Sequence, residues 1–350
     1  MTASPETPPE QAYPNKLPGS RQHRLSGVDP WALRIWEDVS RIPMRDLWSF
    51  QGVPATRVWS RTFHAFISDD LLSRAAELGY YFLFALFPML VCASAILGIA
   101  ARSASQIYVN LLHYLALVVP PSAYNIVIET FNQTAMAATG GKITLGLVAA
   151  LWSASVGFAA IQEGMNTVYK VRESRPYWMA RGSAILVTVL LSVLVTLTLA
   201  ALLLSDYLAR LAHQHLWHHA LAFTAALALR TMGFLVASGL VMVQLDAIYY
   251  FAPDLKHRCW HWSTPGSVIG LAGWIAASLG LKMYLHFFNS FTVTYGSLGA
   301  VIVLLTWFYI TGLAILLGAE INSEIQAAVA EQALKQAGEI PDEACAEPAG

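Results

Sequence analysis

Charged residues are scarce in this chain of 350 residues, where Asp, Glu, Lys and Arg together make up only 12%, about half their share in an average soluble protein. Three cysteines and no CxxC pair exclude a disulfide-stapled scaffold and a cysteine-rich zinc site. A net charge of −1 offers no basic field to nucleic acid. Nucleotide-binding, zinc-protease and serine-hydrolase motifs are absent as well. We therefore predict no catalytic residue, no metal, no cofactor and no nucleic-acid partner.

Apolar residues dominate instead, at 56% of the chain, and the few charges are unevenly placed. Residues 1–74 hold 17 charged side chains, residues 75–326 hold 20 and residues 327–350 hold 6. This distribution predicts a membrane domain over residues 57–326, between a cytoplasmic N-terminal tail (1–56) and a C-terminal tail (327–350). The Pro-rich start of the N-terminal tail is typical of disorder and lacks the features of a signal peptide.

Six stretches are long and apolar enough to cross a membrane as helices, so the predicted fold is an all-α, polytopic membrane protein. They are roughly 75–101, 143–169, 182–205, 220–250, 264–288 and 297–322. Residues 103–141 are predicted to form an external cap of two amphipathic helices, with a re-entrant hairpin as the alternative. Lys and Arg are concentrated in the N-terminal tail and in the loops 170–181 and 251–262, which predicts that both termini are cytoplasmic.

The segment before the first span has its own periodicity, with large apolar side chains at helical spacing from Trp59 to Leu71. Two interpretations stay open for this helix. It could lie on the inner leaflet with its apolar face in the lipid, or it could pack on the helical bundle as a cytoplasmic helix.

Several stretches resemble one bacterial family. They are AAELGYYFLFALFPMLVCASAILG (75–98), LWSASVGFAAIQEGMNTVYKVRESRPYW (151–178), YYFAPD (249–254), WSTPGSVIGLAGWIAASLG (262–280) and TYGSLGAVIVLLTWFYITGLAILLGAEIN (294–322). In these stretches the chain resembles the YihY / virulence factor BrkB family, whose members are often labelled ribonuclease BN. The resemblance covers about residues 57–326. It implies six spans in the bacterial inner membrane, and roles such as transport or envelope integrity.

Ionisable groups at membrane depth usually mark function or a partner, and four carboxylates fall near the cytoplasmic ends of four different spans. These are Glu77, Glu163, Asp246 and Glu320. Asn166 continues the polar stripe of the second span. The group predicts a polar vestibule open to the cytoplasm. The alternative is that each carboxylate pairs with a nearby basic residue and only fixes a helix end.

Two cations fall in the opposite half of the membrane domain, Arg230 in the fourth span and Lys282 in the fifth. We expect Arg230 to face the bundle and to have a partner, either Asp206 or an anionic solute. Lys282 either joins this path or extends its amine to the outer interface. Together with the carboxylates, these cations predict a path for an anionic or lipid-like solute.

Backbone-breaking and small residues form a second group of candidates. Pro88 interrupts the first span and acts either as a static kink or as a hinge. Gly266, Gly270 and Gly273 form a small-residue stripe that lets another helix approach closely. Gly296 provides a tight turn before the sixth span.

The leading hypothesis from the sequence is therefore a transporter or flippase-like carrier that works through a polar intramembrane cavity, with membrane lipids as partners. The alternative is a non-transporting scaffold for the cell envelope or for virulence. A ribonuclease, as the family label suggests, is a remote third. Substrate, coupling ion and oligomeric state are not specified by the sequence.

Overall fold

A computed structural model of the chain describes residues 35–36, 39, 47–48, 53–100, 129, 140–215, 219–256, 260, 262–287 and 297–338. The described residues form seven long helices and contain no strand. These are α1 (Ala55–Ser68), α2 (Leu71–Ala100), α3 (Gly140–Val168), α4 (Tyr177–His215), α5 (His219–Phe251), α6 (Pro265–Phe287) and α7 (Ser297–Gln336). The predicted all-α class is thus confirmed. Apart from Glu129 and residues 140–141, the predicted cap at 103–141 lies outside the described residues.

Four of the described helices, α4 to α7, are long and apolar enough to cross a membrane. Their candidate spans are Tyr177–Ala212, Leu221–Phe251, Pro265–Phe287 and Leu298–Gln336. Helices suit this environment because every interior backbone N–H and C=O is satisfied within the helix itself. Helices α2 and α3 coincide with the first two predicted spans but are not among these four.

Helix α7 is the central element of the bundle, since it packs against α1, α2, α3 and α6. Its buried residues Leu316 and Ala319 lie in one apolar core with residues of α2, α3, α5 and α6. Helix α2 approaches α7 closely where a Cβ added at Gly79 would lie 3.1 Å from the backbone nitrogen of Tyr309. Helices α4 and α5 form an antiparallel hairpin, in which Gln244 Nε2 of α5 donates to Thr198 Oγ1 of α4 at 3.1 Å.

Two ends of the bundle can be distinguished. We call the base the end that contains α1, residues 169–176, 252–256 and 262–264 of the loops, and the C-terminal half of α7. The far end is the opposite one, where the α4–α5 hairpin has its tip. The first described helix and the last lie together at the base, because Arg57 Nη2 of α1 is 2.8 Å from Glu331 Oε1 of α7.

Helix α1 packs on α7 by one face and leaves a large apolar face open. The packed face is made of Val58, Thr62 and Ala65. The open face carries Trp59, Phe63 and Ile67, all exposed. The structure therefore favours the second interpretation of this helix, in which it docks on the bundle. Helix α7 continues to Gln336, ten residues past the predicted end of the membrane domain, and the docking surface runs from Ile321 into this extension.

The three glycines predicted to form a packing stripe have different environments. A Cβ on Gly266 would overlap the carbonyl oxygen of Gly318 in α7 and lie 2.7 Å from Asn322 Cγ. At Gly270 it would lie 3.1 Å from the carbonyl oxygen of Ala314. Gly273 is exposed and has nothing within 4 Å of such a Cβ. Only the first part of the stripe is therefore in contact with α7.

Pro88 and Gly296 are the two other backbone positions singled out in the sequence. Helix α2 continues through Pro88 as far as Ala100. Gly296 lies outside the described residues. The hinge and turn roles of these two positions stay predictions.

Replacing Gly266 by alanine is expected to lower the free energy of unfolding by about 1–3 kcal/mol, because the methyl group forces α6 away from α7. Gly273→Ala is the matched control, made in the same helix. It should be neutral, or stabilise the protein by up to about 1 kcal/mol through helix propensity. Thermal unfolding of both variants in one detergent would measure the difference. Equal melting temperatures would contradict the close approach of the two helices.

Candidate functional site

The N-terminus of α6 lies in a buried polar junction at the base, between α5 and α7. Asp246 of α5 accepts the N–H of Ser263 at 2.8 Å and the N–H of Thr264 at 3.3 Å. Its Oδ1 also accepts the Thr264 hydroxyl at 3.2 Å. A carboxylate at this position satisfies backbone donors that have no partner within the helix and complements the positive end of the helix dipole.

The local sequence explains why the helix begins here. Thr264 is the N-cap, since its Oγ1 accepts the N–H of Ser267 at 3.1 Å, and Pro265 occupies the first helical position. From α7, the Asn322 amide accepts the N–H of Gly266 at 2.9 Å and donates to Thr264 Oγ1 at 3.0 Å. Asp246, Thr264 and Asn322 thus join three helices through one set of hydrogen bonds.

A second polar group at the base clasps the α3–α4 loop to the α5–α6 loop. Asn166 donates to Glu173 Oε2 at 2.8 Å and accepts the N–H of Asp254 at 2.8 Å. Asp254 in turn accepts the N–H and the hydroxyl of Ser174, at 2.7 and 2.5 Å. Arg175 binds both Glu173 oxygens, at 2.6 and 2.7 Å. We call these five residues the clasp.

The charges of the clasp stabilise one another. Hydrogen bonds from Arg175 lower the pKa of Glu173; burial opposes this shift, and the Asn166 amide supports it. The same hydrogen bonds to Glu173 raise the pKa of Arg175. Glu173 is therefore held as a carboxylate in the folded protein.

A third group is a ladder of ion pairs between α1 and α7. Arg61 lies 2.8 Å from Glu324 and 2.5 Å from Glu331, while Arg57 and Lys335 also reach Glu331, at 2.8 and 3.2 Å. Both glutamates are buried. Burial alone would lower the pKa of Arg61, but the two carboxylates outweigh it and raise that pKa.

Glu320 differs from all these groups. It is fully buried at 0% exposure, and neither carboxylate oxygen has a hydrogen-bond partner among the described residues. The charged groups that act on it are Asp69, Lys170 and Glu324. Asp69 and Lys170 form an ion pair with each other, from the α1–α2 turn to the end of α3. Lys170 has a positive φ of 53° and its amine lies 5.3 Å from the centre of the Trp36 ring.

The residues predicted to line a path fall into two sets in the structure. Asn166, Asp246 and Glu320 are buried at the base. Glu77, Glu163, Arg230 and Lys282 have exposed side chains on the outside of the described chain. The second set is exposed because its helices turn other positions inward, such as Leu78 beside Glu77. The structure does not bring the seven side chains onto one surface, and a path shared by all of them stays a prediction.

The alternative interpretation expects each of the four carboxylates to pair with a basic residue, and the described residues do not show this pairing. Within the described residues, none of the four forms an ion pair, and two nearby basic residues bind other acids, Lys170 to Asp69 and Arg175 to Glu173. Arg230 does pair with Asp206, one of its two expected partners, with Nη2 3.3 Å from Oδ1.

Sequence reasoning missed several residues that hold the base together: Glu173, Asp254, Thr264, Asn322, Glu324 and Glu331. Thr264 could have been predicted from the sequence, because a threonine directly before a proline is typical of a helix start. Ser267, three residues later, fits the same pattern. The others have partners up to 274 residues away, and only the fold brings such pairs together. The described residues contain no group of three His, Cys, Asp or Glu side chains able to hold a metal ion.

Comparison with known proteins gives a consistent result. The family described as Virulence factor BrkB matches residues 62–341. A ribonuclease-like protein of Bacillus subtilis, YfkH, is 32% identical over 251 residues, which cover 72% of this chain and 88% of that protein. UPF0761 membrane proteins of Stenotrophomonas maltophilia and Tolumonas auensis are each 25% identical, over 278 and 270 residues. Each match covers 76% of this chain, but 60% of the first protein and 83% of the second. No solved structure matches the chain.

Replacing Asp246 by alanine is expected to lower the free energy of unfolding by about 2–4 kcal/mol, because several buried donors lose their acceptor at about 1–3 kcal/mol each. Glu77→Ala, which removes an exposed carboxylate without a described partner, should stay within about 0.5 kcal/mol of the unmodified chain. Thermal or denaturant unfolding in detergent would compare the two. A stable Asp246→Ala protein would show that the junction does not depend on this cap.

The clasp predicts a dependence on pH. Because the pKa of Glu173 is lower in the folded chain than its ordinary value of 4.5, its ionised form stabilises the fold above that value, and this contribution disappears as the pH falls through the folded pKa. Glu173→Gln should therefore be less stable than the unmodified chain at neutral pH, and the difference should shrink in acid. Melting temperatures of both proteins between about pH 3 and 7 would measure it. A difference that does not change with pH would contradict the assignment.

Proposed function

The chain belongs to the virulence factor BrkB family of membrane proteins, and from this premise we propose that it moves an anionic or amphiphilic solute across the bacterial inner membrane. In this proposal the chain crosses the membrane six times, with α2 and α3 added to the four apolar helices, and both termini are cytoplasmic. In this proposal the chain also catalyses no reaction, and the ribonuclease-like name is treated as that of the Bacillus relative.

The observation that carries the proposal is the buried carboxyl of Glu320, which has no hydrogen-bond partner in the described part of the chain. A carboxylate without hydrogen bonds in a protein interior is strongly disfavoured, and ionisable groups in membrane helices are usually functional. Glu320 stands on the central helix, within the electrostatic reach of Lys170. We assign Glu320 as the group that takes up a proton in one state of the transport cycle and releases it in another.

The surroundings of Glu320 provide a two-state element for such a cycle. Lys170 binds Asp69 in this structure, and that ion pair links the end of α3 to the turn between α1 and α2. Once Glu320 is ionised, Lys170 is the cation available to neutralise it. Its transfer from Asp69 to Glu320 would release the α1–α2 turn from α3, which is a local charge change with a wider structural effect.

The position of the helices supports six spans. Helices α2 and α3 have 30 and 29 residues, which is ample for a hydrocarbon core that needs about 20. Helix α2 packs on α7, itself a candidate span, and α3 packs mainly on α2 with a smaller contact to α7. The described start and end of the chain meet at the base, in agreement with an even number of crossings. The basic loop at 170–181 is also at the base, which favours a cytoplasmic location for that end.

A non-transporting scaffold is the second candidate, and one observation favours it. Several other buried polar groups at the base bind helix ends, loops or neighbouring helices, as Asp246, Asn166 and Glu331 illustrate. In a scaffold these bonds would hold the bundle rigid for an envelope partner. Glu320 would then be a neutral acid without a role in any cycle.

Glu320→Gln distinguishes the two candidates. The chain is reconstituted in phosphatidylglycerol vesicles with a fluorescent phosphatidylglycerol as the test amphiphile, and its transfer between leaflets is followed with and without a pH gradient. We expect the gradient to accelerate transfer by the unmodified chain and to have no effect on Glu320→Gln. The variant should remain folded, because an amide replaces the carboxyl at equal size.

Glu324→Gln is the comparison variant, one turn further along α7. It removes a paired carboxylate, so it should lose about 1–3 kcal/mol of stability, which Glu320→Gln should not. A Glu320→Gln protein that keeps its response to the gradient would refute the role of Glu320. An unmodified chain that transfers nothing under either condition would favour the scaffold.

A further inference from the structure

Two arginines share a single carboxylate near the far end of the bundle. Asp206 on α4 accepts Arg210 Nε at 2.7 Å through Oδ2, and Arg230 Nη2 of α5 lies 3.3 Å from Oδ1. Neither guanidinium has a second acidic partner among the described residues. The three side chains therefore carry a formal net charge of +1. We call them the far-end triad.

The arginines of the triad face outward. Arg210 is 51% exposed and Arg230 is 60% exposed, whereas Asp206 is largely covered. Each guanidinium has about five N–H donors in a planar fork, and few of them are used within the described chain. The triad therefore presents unused donors and an unbalanced positive charge on the surface of the α4–α5 hairpin.

The hairpin holds the triad in a fixed geometry. Gly233, three residues after Arg230, lies so close to α4 that a Cβ there would overlap the Ser205 side chain. Ser205 directly precedes Asp206. The two helices therefore touch at the level of the triad, and the arginines are positioned before any ligand arrives.

The depth of the triad matches the head-group region of a bilayer. Arg230 precedes the end of α5 at Phe251 by 21 residues, or about 31 Å of helix. A hydrocarbon core is about 30 Å thick. If one boundary lies near the end of α5 at the base, Arg230 is at the opposite boundary.

The surface around the triad is apolar. Exposed side chains flank it on both helices: Leu204, Tyr207, Leu208, Leu227, Phe234 and Leu235. A ligand that binds both the arginines and these apolar side chains carries an anionic head and hydrocarbon tails. A fully hydrated anion would match the arginines but leave the apolar side chains uncovered.

We propose that the far-end triad is a binding site for the phosphate of a membrane lipid in the leaflet at that end. The guanidinium forks of Arg210 and Arg230 donate to the phosphate oxygens, as arginine does wherever phosphate is recognised in a planar geometry. The acyl chains lie along the apolar side chains of α4 and α5. The site goes beyond the transport proposal and does not depend on it, because a lipid can bind here whether or not the bundle moves a solute.

Lipid retention in native mass spectrometry tests the site. The purified chain is incubated in detergent with phosphatidylglycerol, or with a diacylglycerol of the same acyl chains that lacks the phosphate. We expect phosphatidylglycerol to be retained about tenfold more strongly than diacylglycerol, since charge-assisted hydrogen bonds are lost without the phosphate. Arg230→Gln or Arg210→Gln should remove most of that preference.

Three controls make the result decisive. Arg172→Gln removes an exposed cation in the loop at the base and should leave the preference intact. Asp206→Asn frees both arginines and should strengthen retention, whereas a triad that only pins the hairpin would show no lipid effect in any variant. Inorganic phosphate is the third control, and it should neither displace phosphatidylglycerol nor raise the melting temperature.

Two outcomes would overturn the site. An Arg230→Gln or Arg210→Gln protein that melts normally and keeps the full preference for phosphatidylglycerol would remove the arginines from it. Stabilisation by inorganic phosphate equal to that by phosphatidylglycerol would show that the site takes a free anion, and the lipid assignment would fail.

Discussion

The close seating of α6 on α7 is the constraint on which the base of this protein depends. Two glycines, Gly266 and Gly318, let the helices meet backbone to backbone, and the polar start of α6 is thereby buried. Burial makes its free N–H groups costly, and Asp246 and Asn322 are the residues that satisfy them. Because Asp246 comes from α5, the same hydrogen bonds also join the last turns of α5 to the start of α6.

The position of the α5–α6 loop follows from that seating. Because both ends of the loop are held, Asp254 lies where its carboxylate accepts from Ser174 and its N–H donates to the amide oxygen of Asn166. The α3–α4 loop is held in turn, and so is Lys170 at its start. Glu320 and its charged neighbours thus lie beside loops that are held by hydrogen bonds. In the proposed cycle, the ion pair between Lys170 and Asp69 is the contact that changes.

Composition and hydropathy were sufficient to predict the class of this protein. Few charges and long apolar stretches can be accommodated only as membrane helices, and the family resemblance found in the sequence agrees with the matches to known relatives. The partnership of Arg230 with Asp206 was also predictable, because a cation in an apolar helix needs an acid and the neighbouring helix of the hairpin offers one. Local signals of this kind depend on residues close in sequence or on adjacent helices.

The rotation of each helix could not be predicted in the same way. Glu77 and Glu163 were grouped with Asp246 and Glu320 by their distance from the span ends. Distance along a helix says nothing about which face a side chain occupies when the whole surface is apolar. Asp69 and Lys170 are 101 residues apart, and the sequence around each residue does not indicate that the two form a pair. Such pairs arise from the packing of α2 and α3 around α7, which depends on small residues such as Gly79 that carry no charge signal.

The two ends of the bundle show opposite kinds of charge imbalance, and this contrast connects the two proposals. At the base, Asp246, Glu173, Glu324 and Glu331 all bind donors, whereas neither oxygen of the buried Glu320 carboxyl has a hydrogen-bond partner among the described residues. At the far end, the triad has one cation in excess and exposes it. A buried carboxylate without a partner can be neutralised only by a ligand small enough to enter a packed interior, such as a proton. An exposed positive charge at the membrane boundary can be neutralised by the surrounding lipid, which supplies phosphate at that depth. The size of the ligand that each end can accept therefore follows from burial, and burial follows from how closely the glycines let the helices pack.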